Sequence, residues 1–508
     1  MNLFNQELEK RDLQYILGDN QFIPIAPRNS DKFAAMVQHV VSNNLRVYID
    51  PDCDPDGYFS ARIIKGMFDR IGYTNYGIGR HDHKRHKLRQ AYIGSLIDQG
   101  YQAFIIVDSS TNDMQGFNYI VSRGCMVACI DHHTPHYKFE EYPKGIIIIN
   151  PLMESSGSKI TYNKLSAGAL CALVATYVLK VRYNITNVIE LYMYGVVTLY
   201  SDSCDLSNPY NIAFIRTFQN QQVFNSDIIS LFMNEYSHFD RSFISFNMVP
   251  RLNALMRMEK FDILYQLFFE PETIQDRNAF KETIESIYKE CKKYTQSLME
   301  SCSIDQHKNF VVAILPKDVS PVARNFTGLV ANALADRYNQ TCLCLFHTDA
   351  LEYGGSVRDP FSRNMLNVFS PLMYAEGHSA AFGISLRKEQ LVDICRILDQ
   401  LDDIFVQRQN DLIVIPWDNR PPQEIRAEMQ LMSEYNEFSG MSIPKAVGIL
   451  TIQKNWKIYP AESYTKVYGN GHKFTCFVKS VMAGDVMIIT PTSNGSDYQL
   501  IVNNVKYN

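Results

Sequence analysis

The stretch Val47-Tyr-Ile-Asp50-Pro-Asp52-Cys-Asp54-Pro-Asp56-Gly57 is a short apolar run that breaks into aspartates at every second position and closes on a glycine. Carboxylates this close raise one another's cost of ionisation, so the cluster persists cheaply only in bulk solvent or around cations. Val47 to Ile49 reads as the end of a buried strand, and Tyr58 to Arg70 carries Phe59, Ile63 and Met67 at helical spacing. The aspartates therefore belong on a strand-to-helix turn, where open α/β sheets put their ligand sites. A single acidic turn also suits a solvated surface. The two readings separate on whether other segments end in the same way.

They do. Phe104 to Val107 ends in Asp108-Ser109-Ser110, Cys125 to Ile130 ends in Asp131-His132-His133, and Ile146 to Ile149 ends in Asn150-Pro151. After a helix around Ser166 to Leu179, the apolar run Tyr192 to Tyr200 closes on Ser201-Asp202-Ser203-Cys204-Asp205. Continuous apolar runs separated by helical segments are the pattern of a parallel sheet covered on both faces. A lone carboxylate after a strand is usually a helix cap. Here Asp54, Asp56, Asp108, His132 and Asp202 would converge on one edge of one sheet. Carboxylate oxygens with one or two imidazoles suit Mn²⁺ or Mg²⁺ better than zinc or iron–sulfur chemistry. Two such ions, about 3.5 to 4 Å apart, can activate water and stabilise a phosphoryl transition state.

Composition narrows the class. The chain has 508 residues, room for about three domains on the usual prior. No apolar run approaches the ~18 to 20 residues of a membrane span, and no signal-peptide pattern opens the chain. The 11 cysteines are scattered without a CxxC pair, as for reduced thiols in a cytoplasmic protein. With 49 Lys and Arg against 54 Asp and Glu, the net charge of -5 gives no support for non-specific duplex binding, so any nucleic-acid contact is local. The most cationic stretch, Gly77 to Lys87, contains Arg80 and is either a solvated loop or a phosphate-binding rim.

The succession DxDxDG, VDSS, Asp131-His132-His133 and SDS resembles the motifs of the DHH phosphoesterase superfamily. The resemblance implies that Asp54 and Asp108 bind one metal ion, while Asp56, Asp108, His132 and Asp202 bind the other, with Asp108 as the bridge. It further implies that His133 faces the substrate phosphate and acts with Asp108 in catalysis. Asp50 stands where relatives usually carry histidine and is included among the metal ligands. Asp52 and Asp131 would support the ligands from behind, as would Asn253. That last residue lies in Val249-Pro-Arg-Leu-Asn253-Ala-Leu-Met-Arg257, a segment similar to one in the RecJ family of single-strand-specific exonucleases.

Phe280, Ile284, Ile287, Cys291, Tyr294 and Leu298 then mark a long helix with one apolar stripe, as expected of an interdomain connector. From Asn309 a second α/β unit begins. It carries Gly354-Gly-Ser356-Val-Arg358 and Glu376-Gly377-His378-Ser-Ala-Ala. Glycine-flanked loops of this kind let the backbone approach a phosphate. They resemble the motifs of the DHH-associated domain, in which Ser356, Arg358, Gly377 and His378 would hold substrate. Asp359 and Glu376 depart from the family's Ser and Gly.

The expected architecture is α/β: a parallel-sheet DHH catalytic domain over 1–270, a connecting helix over 271–305, a smaller substrate-binding α/β domain over 306–405, and a β-rich C-terminal domain over 406–508, guessed to be a barrel. Trp417, Trp456 and Tyr459 there offer either core packing or stacking faces. The resemblance implies a hydrolase with two Mn²⁺ or Mg²⁺ ions that degrades single-stranded DNA from the 5′ end to nucleoside monophosphates, with no membrane partner. The alternatives are an oligoribonuclease or cyclic-dinucleotide phosphodiesterase with the same metal site, and a catalytically inactive nucleic-acid-binding relative, to which Asp50 lends support.

Overall fold

The apolar runs ending in charged residues form one parallel sheet: β1 (Val47–Pro51), β2 (Tyr76–Ile78), β3 (Ala103–Val107), β4 (Met126–Ile130) and β5 (Ile147–Ile149), in the order β2-β1-β3-β4-β5. The computed structural model describes residues 2–19, 21–82, 90–153, 162, 164–202, 204–219, 227–234, 237–349, 351–361, 363–401, 412–439, 443–460, 464–476, 481–494 and 497–506. Pro51 pairs with Val107 and Val107 with Ile130, so β1, β3 and β4 end level and the residues after each strand emerge at one edge. From β1 the chain goes to β2 on one side and then to β3 on the other. The gap between β1 and β3 is thus the point where strand order reverses, the place where such sheets bind ligands.

The helix Pro55–Ile71 starts at that edge because Asp54 caps it, accepting the Gly57 N–H at 2.9 Å, and because Pro55 fits its first position. It ends at Gly72, whose φ is +78°. Phe59, Ile63 and Met67 are fully buried, as the helical spacing predicts, each contributing roughly 1.5 to 3 kcal/mol of apolar burial. The helix Ala167–Tyr183 packs against it. On the other sheet face Tyr48, Phe104, Ile106, Phe117 and Ile120 form a second apolar layer.

The run Tyr192 to Tyr200 is no sheet strand. It lies in the helix Ile189–Ser201, so Asp202 arrives from a helix C-terminus and not from a strand end. Nine successive buried residues hid the helical period, because this helix is packed on all sides.

By packing, the chain divides into two units: one built from Met1–Gly79, Arg85–Val249 and Asp411–Asn508, the other from Arg80–Lys84 and Pro250–Asn410. The second holds the long helix Arg277–Ser301 and a mixed sheet of β6 (Ser303–Gln306), β7 (Phe310–Ile314), β8 (Thr341–His347), β9 (Glu352–Arg358), β10 (Tyr374–His378) and β11 (Ala381–Arg387), in the order β10-β11-β9-β8-β7-β6. Ser356, Arg358, Gly377 and His378 lie on strands of this sheet, not on loops. Ala381 pairs with both His378 and Arg358. The glycines let neighbouring chains approach: a Cβ on Gly355 would sit 2.3 Å from the Cys344 carbonyl oxygen.

The C-terminal region is not a closed barrel. Its strands β12 (Ile413–Pro416), β13 (Ala446–Thr451), β14 (Lys457–Pro460), β15 (Thr465–Gly469), β16 (His472–Cys476), β17 (Val486–Asn494) and β18 (Asp497–Lys506) form a sheet ordered β12-β13-β17-β18-β16-β15-β14, with β12 and β14 at its edges among the described residues. The helix Pro422–Asn436, not expected from the sequence, packs on β17 and joins this sheet to the N-terminal helix Leu3–Lys10. Phe4 meets Tyr435 edge to face at 5.3 Å, and its N–H donates to Glu428. Trp417 is fully buried, Trp456 stacks on Phe474, and Tyr459 is exposed. Among the described residues no helix is long and apolar enough to cross a membrane.

Candidate metal centre

Gly57 sets the tightness of the acidic turn. A Cβ there would lie 2.5 to 2.7 Å from backbone atoms of Asp52, so only glycine lets the first helical turn fold back on the aspartate run. Asp52 is pinned from the other side, its N–H donating to the Val107 carbonyl at 3.2 Å. Asp108 follows Val107 with φ +63°, and its N–H donates to the Ile130 carbonyl. This left-handed geometry suits a short polar side chain and turns the carboxylate toward β1.

His132 is the pivot. Its Nε2 lies 3.4 Å from an Asp202 oxygen, 3.5 Å from Asp108 and 4.0 Å from Asp56. Asp56 and Asp108 are each 1 % exposed. Burial pushes both carboxyls well above their ordinary range, and neighbouring aspartates push further, Asp202 first for Asp56 and Asp56 first for Asp108. Asp56 is held in place by the N–H groups of Ala167 and Gly168, at 2.9 and 2.7 Å, at the start of a helix. Asp108 Oδ1 is buried and accepts no hydrogen bond among the described residues. A buried carboxylate oxygen facing an imidazole and other carboxylates, without a donor of its own, fits a cation site.

On the other side of Asp108, ligand atoms of Asp52, Asp54 and Asp108 lie within 4.8 Å of one another. A second such group joins Asp108, His132 and His133, and a third joins His132, Asp202 and Cys204. Asp108 is thus common to a carboxylate-only group and to a histidine-bearing one. Asp50 is buried on β1 itself and belongs to none of the three groups, whereas Asp52, expected behind the ligands, belongs to the first. Cys204 was not expected from the sequence, although its place two residues after Asp202 was a usable signal.

Asp131 is fully buried and orients the two histidines after it: its Oδ1 accepts the N–H groups of His132 and His133 and lies 2.7 Å from His133 Nδ1. Its Oδ2 accepts from the Thr111 N–H. Burial works against its charge, but His133 prevails and holds the carboxyl below its ordinary range. Burial likewise works against a charged His133, yet Asp131 dominates and raises the imidazole to about 10. The His133 side chain remains half exposed, with a ring nitrogen within 4.8 Å of ligand atoms of Asp108 and His132, so it stands at the rim of the centre.

A second polar cluster lies within the other unit. The Arg358 guanidinium packs against Gly328, at the first turn of the helix Thr327–Tyr338, and Ser356 Oγ is 2.9 Å from Thr327 Oγ1. Burial, then the nearby charge of Arg257, lowers Arg358 to about 10, and burial also lowers Arg257. Two arginines and a helix N-terminus are all positive, an arrangement that attracts an anion. Arg257 was missed as a site residue though it ends the segment Val249–Arg257. Asn253 lies on that helix, in this unit and not in the unit of the metal-site carboxylates. Arg80 stacks its guanidinium 4.2 Å over Tyr265, with Glu270 at 4.0 Å. Residues 83–87 of the cationic stretch lie outside the described residues, as does the side chain of His378.

A parallel sheet whose switch point gathers aspartates and the Asp-His-His turn defines a class, and residues 44–196 match the model of the DHH family, N-terminal domain. The chain carries a DHH-family domain. Along most of its length it is similar to the single-stranded-DNA-specific exonuclease RecJ of Haemophilus influenzae, with 20 % identity over 419 residues, 77 % of this chain and 71 % of that protein. RecJ of Bacillus subtilis is 20 % identical over 442 residues, 83 % of this chain and 54 % of that longer protein. Among solved structures, RecJ from Thermus thermophilus in complex with Mn²⁺ superposes with a TM-score of 0.78 at 13 % identity, covering 99 % of this chain and 75 % of that one. The fold is therefore that of RecJ over essentially the whole chain.

Proposed function

We propose that the protein is a divalent-metal-dependent phosphodiesterase that removes nucleotides from an end of single-stranded nucleic acid, DNA in the first instance. The observation that carries this reading is the place of Asp108, shared between the carboxylate group with Asp52 and Asp54 and the His132 cluster with Asp56 and Asp202. Two divalent cations of the Mn²⁺ or Mg²⁺ kind, held by these residues, would supply an activated water and positive charge opposite a phosphoryl group. Relatives named as single-stranded-DNA-specific exonucleases, and a RecJ fold solved with Mn²⁺, support the assignment.

The protein's own residues account for the rest. His133, kept protonated and oriented by Asp131, donates from its half-exposed ring to a non-bridging oxygen and offsets developing charge there. Asp56, fixed by two N–H groups, and Asp108, fixed by its left-handed backbone, hold the reacting centre in one geometry. Ser356, Arg358 and Arg257 take a further phosphate of the strand or its terminal phosphate. Gly377 allows close backbone approach, its φ of +142° being open to glycine alone. Among the described residues no two cysteines form a disulfide, in keeping with action in a reducing cytoplasm.

The test is degradation of end-labelled single-stranded DNA and RNA with Mn²⁺ or Mg²⁺. Mononucleotide release from single-stranded DNA, abolished by chelator, is the expected result. Preference for short oligoribonucleotides or cyclic dinucleotides would move the substrate class. Tight strand binding without hydrolysis under any divalent ion would replace the enzyme by a binding protein.

A further inference from the structure

The two sides of Asp108 offer different donors. Asp52, Asp54 and Asp108 present only oxygen, whereas His132, Asp202 and Cys204 present nitrogen, oxygen and sulfur, with ligand atoms within 4.8 Å of one another. The Cys204 thiol donates to Asp202 at 3.6 Å, and His132 Nε2 lies 3.4 Å from an oxygen of the same carboxylate. Asp108 Oδ1, buried and without a donor among the described residues, lies 3.5 Å from that Nε2 and marks the spot independently as one built for positive charge. Oxygen-only sets favour hard ions such as Mg²⁺ and Mn²⁺, while thiolate and imidazole favour zinc-class ions. A thiolate and an imidazole in one donor set are common at zinc sites.

We propose that Cys204 is a metal ligand that makes the His132–Asp202 position thiophilic, so that it takes Zn²⁺, Co²⁺ or Cd²⁺ in preference to Mn²⁺ while the carboxylate position keeps a hard ion. This rests on the metal-centre reading above. On binding, the S–H bond gives way to a sulfur–metal bond, and the proton passes to solvent. The consequence is a centre whose two positions are filled by unlike ions, and whose activity in Mn²⁺ responds to zinc at low concentration.

The full chain is stripped with chelator, dialysed and titrated with Co²⁺, Zn²⁺ and Mn²⁺ under reducing conditions. Wild type should show a near-ultraviolet sulfur-to-cobalt charge-transfer band. Cys204→Ser, checked by circular dichroism, should lose the band and bind Zn²⁺ at least about tenfold more weakly, the lower end of what a lost supporting group costs a metal site. Cys204→Asp should keep an ion at the same position but invert the preference toward Mn²⁺. Co²⁺ bound without the band, or a band that survives in Cys204→Ser, overturns the proposal and leaves the metal centre standing. Wild type that binds no divalent ion overturns both.

Discussion

His132 Nε2 and Asp108 Oδ1 stand 3.5 Å apart, and that carboxylate oxygen is buried with no hydrogen-bond donor among the described residues. The ion-free centre is therefore electrostatically unfavourable, and folding tolerates it by raising the carboxyls of Asp56 and Asp108. A carboxyl raised in the folded state contributes stability that is complete below its ordinary range and is lost as pH rises through the folded value. Ion-free protein should lose melting temperature as pH rises out of the acid range, and Mn²⁺ should restore it. The thermal shift on adding Mn²⁺ should grow between about pH 5 and pH 8 as the ligands shed protons. A shift independent of pH would detach these two residues from metal binding.

Gly57 is where sterics and chemistry meet. Gly57→Ala would place a methyl 2.5 to 2.7 Å from the Asp52 backbone, forcing the helix start away from β1. The expected outcome is destabilisation of about 1 to 3 kcal/mol, the usual cost of overpacking, with weakened metal binding, read by denaturant melts and metal titration. Unchanged metal affinity would show that the turn's tightness does not set the ligand geometry.

Asp131 and His133 make a prediction about protonation. With its imidazole held at about 10 against an ordinary 6.5, His133 contributes stability that is complete below the ordinary value and disappears as pH rises through about 10. In ion-free protein, ring signals of His133 followed by NMR should show it charged at pH 8, whereas Asp131→Asn should return its midpoint toward 6.5. Matching midpoints in the two proteins would remove Asp131 as its orienting partner.

Arg358 sits beside Arg257 at a helix N-terminus, three positive ends together. Arg358→Ala should therefore leave the melting temperature unchanged or higher while raising the KM for single strands. The loss expected is about 1.5 to 3 kcal/mol of binding, the range for a hydrogen bond to a charged group. Metal affinity should not move, because no proposed ligand comes from the second unit. A lowered melting point with normal KM would make Arg358 a packing residue.

Much of this centre was legible in the sequence because parallel strands are buried on both faces: β1, β3 and β4 read as unbroken apolar runs, and the charged residues after them are confined to one sheet edge. Asp202 was legible as a ligand candidate but not in its placement, since a helix buried all round has no polar stripe to reveal its period. The motifs around Ser356 and Gly377 looked like loops because glycine and serine are poor strand formers. Their place in β9 and β10 comes from sheet partners distant in sequence. The β-rich character of residues 406–508 was legible, but β14 and β15 were not, and closure depends on long-range pairing that local patterns do not encode. The helix Pro422–Asn436 was missed because its buried Ile425, Met429 and Met432 lie in a charged and proline-led stretch.

The central claim is that one carboxylate joins two ion positions, and Asp108→Asn tests it most directly, because asparagine tolerates the φ of +63° that alanine would strain. Metal content after equilibration with Mn²⁺ should be two ions per wild-type chain, with both affinities weakened in the variant and turnover on single-stranded DNA down at least about 100-fold, since a catalytic ion supplies several kcal/mol. A variant that keeps two ions at wild-type affinity would contradict the account.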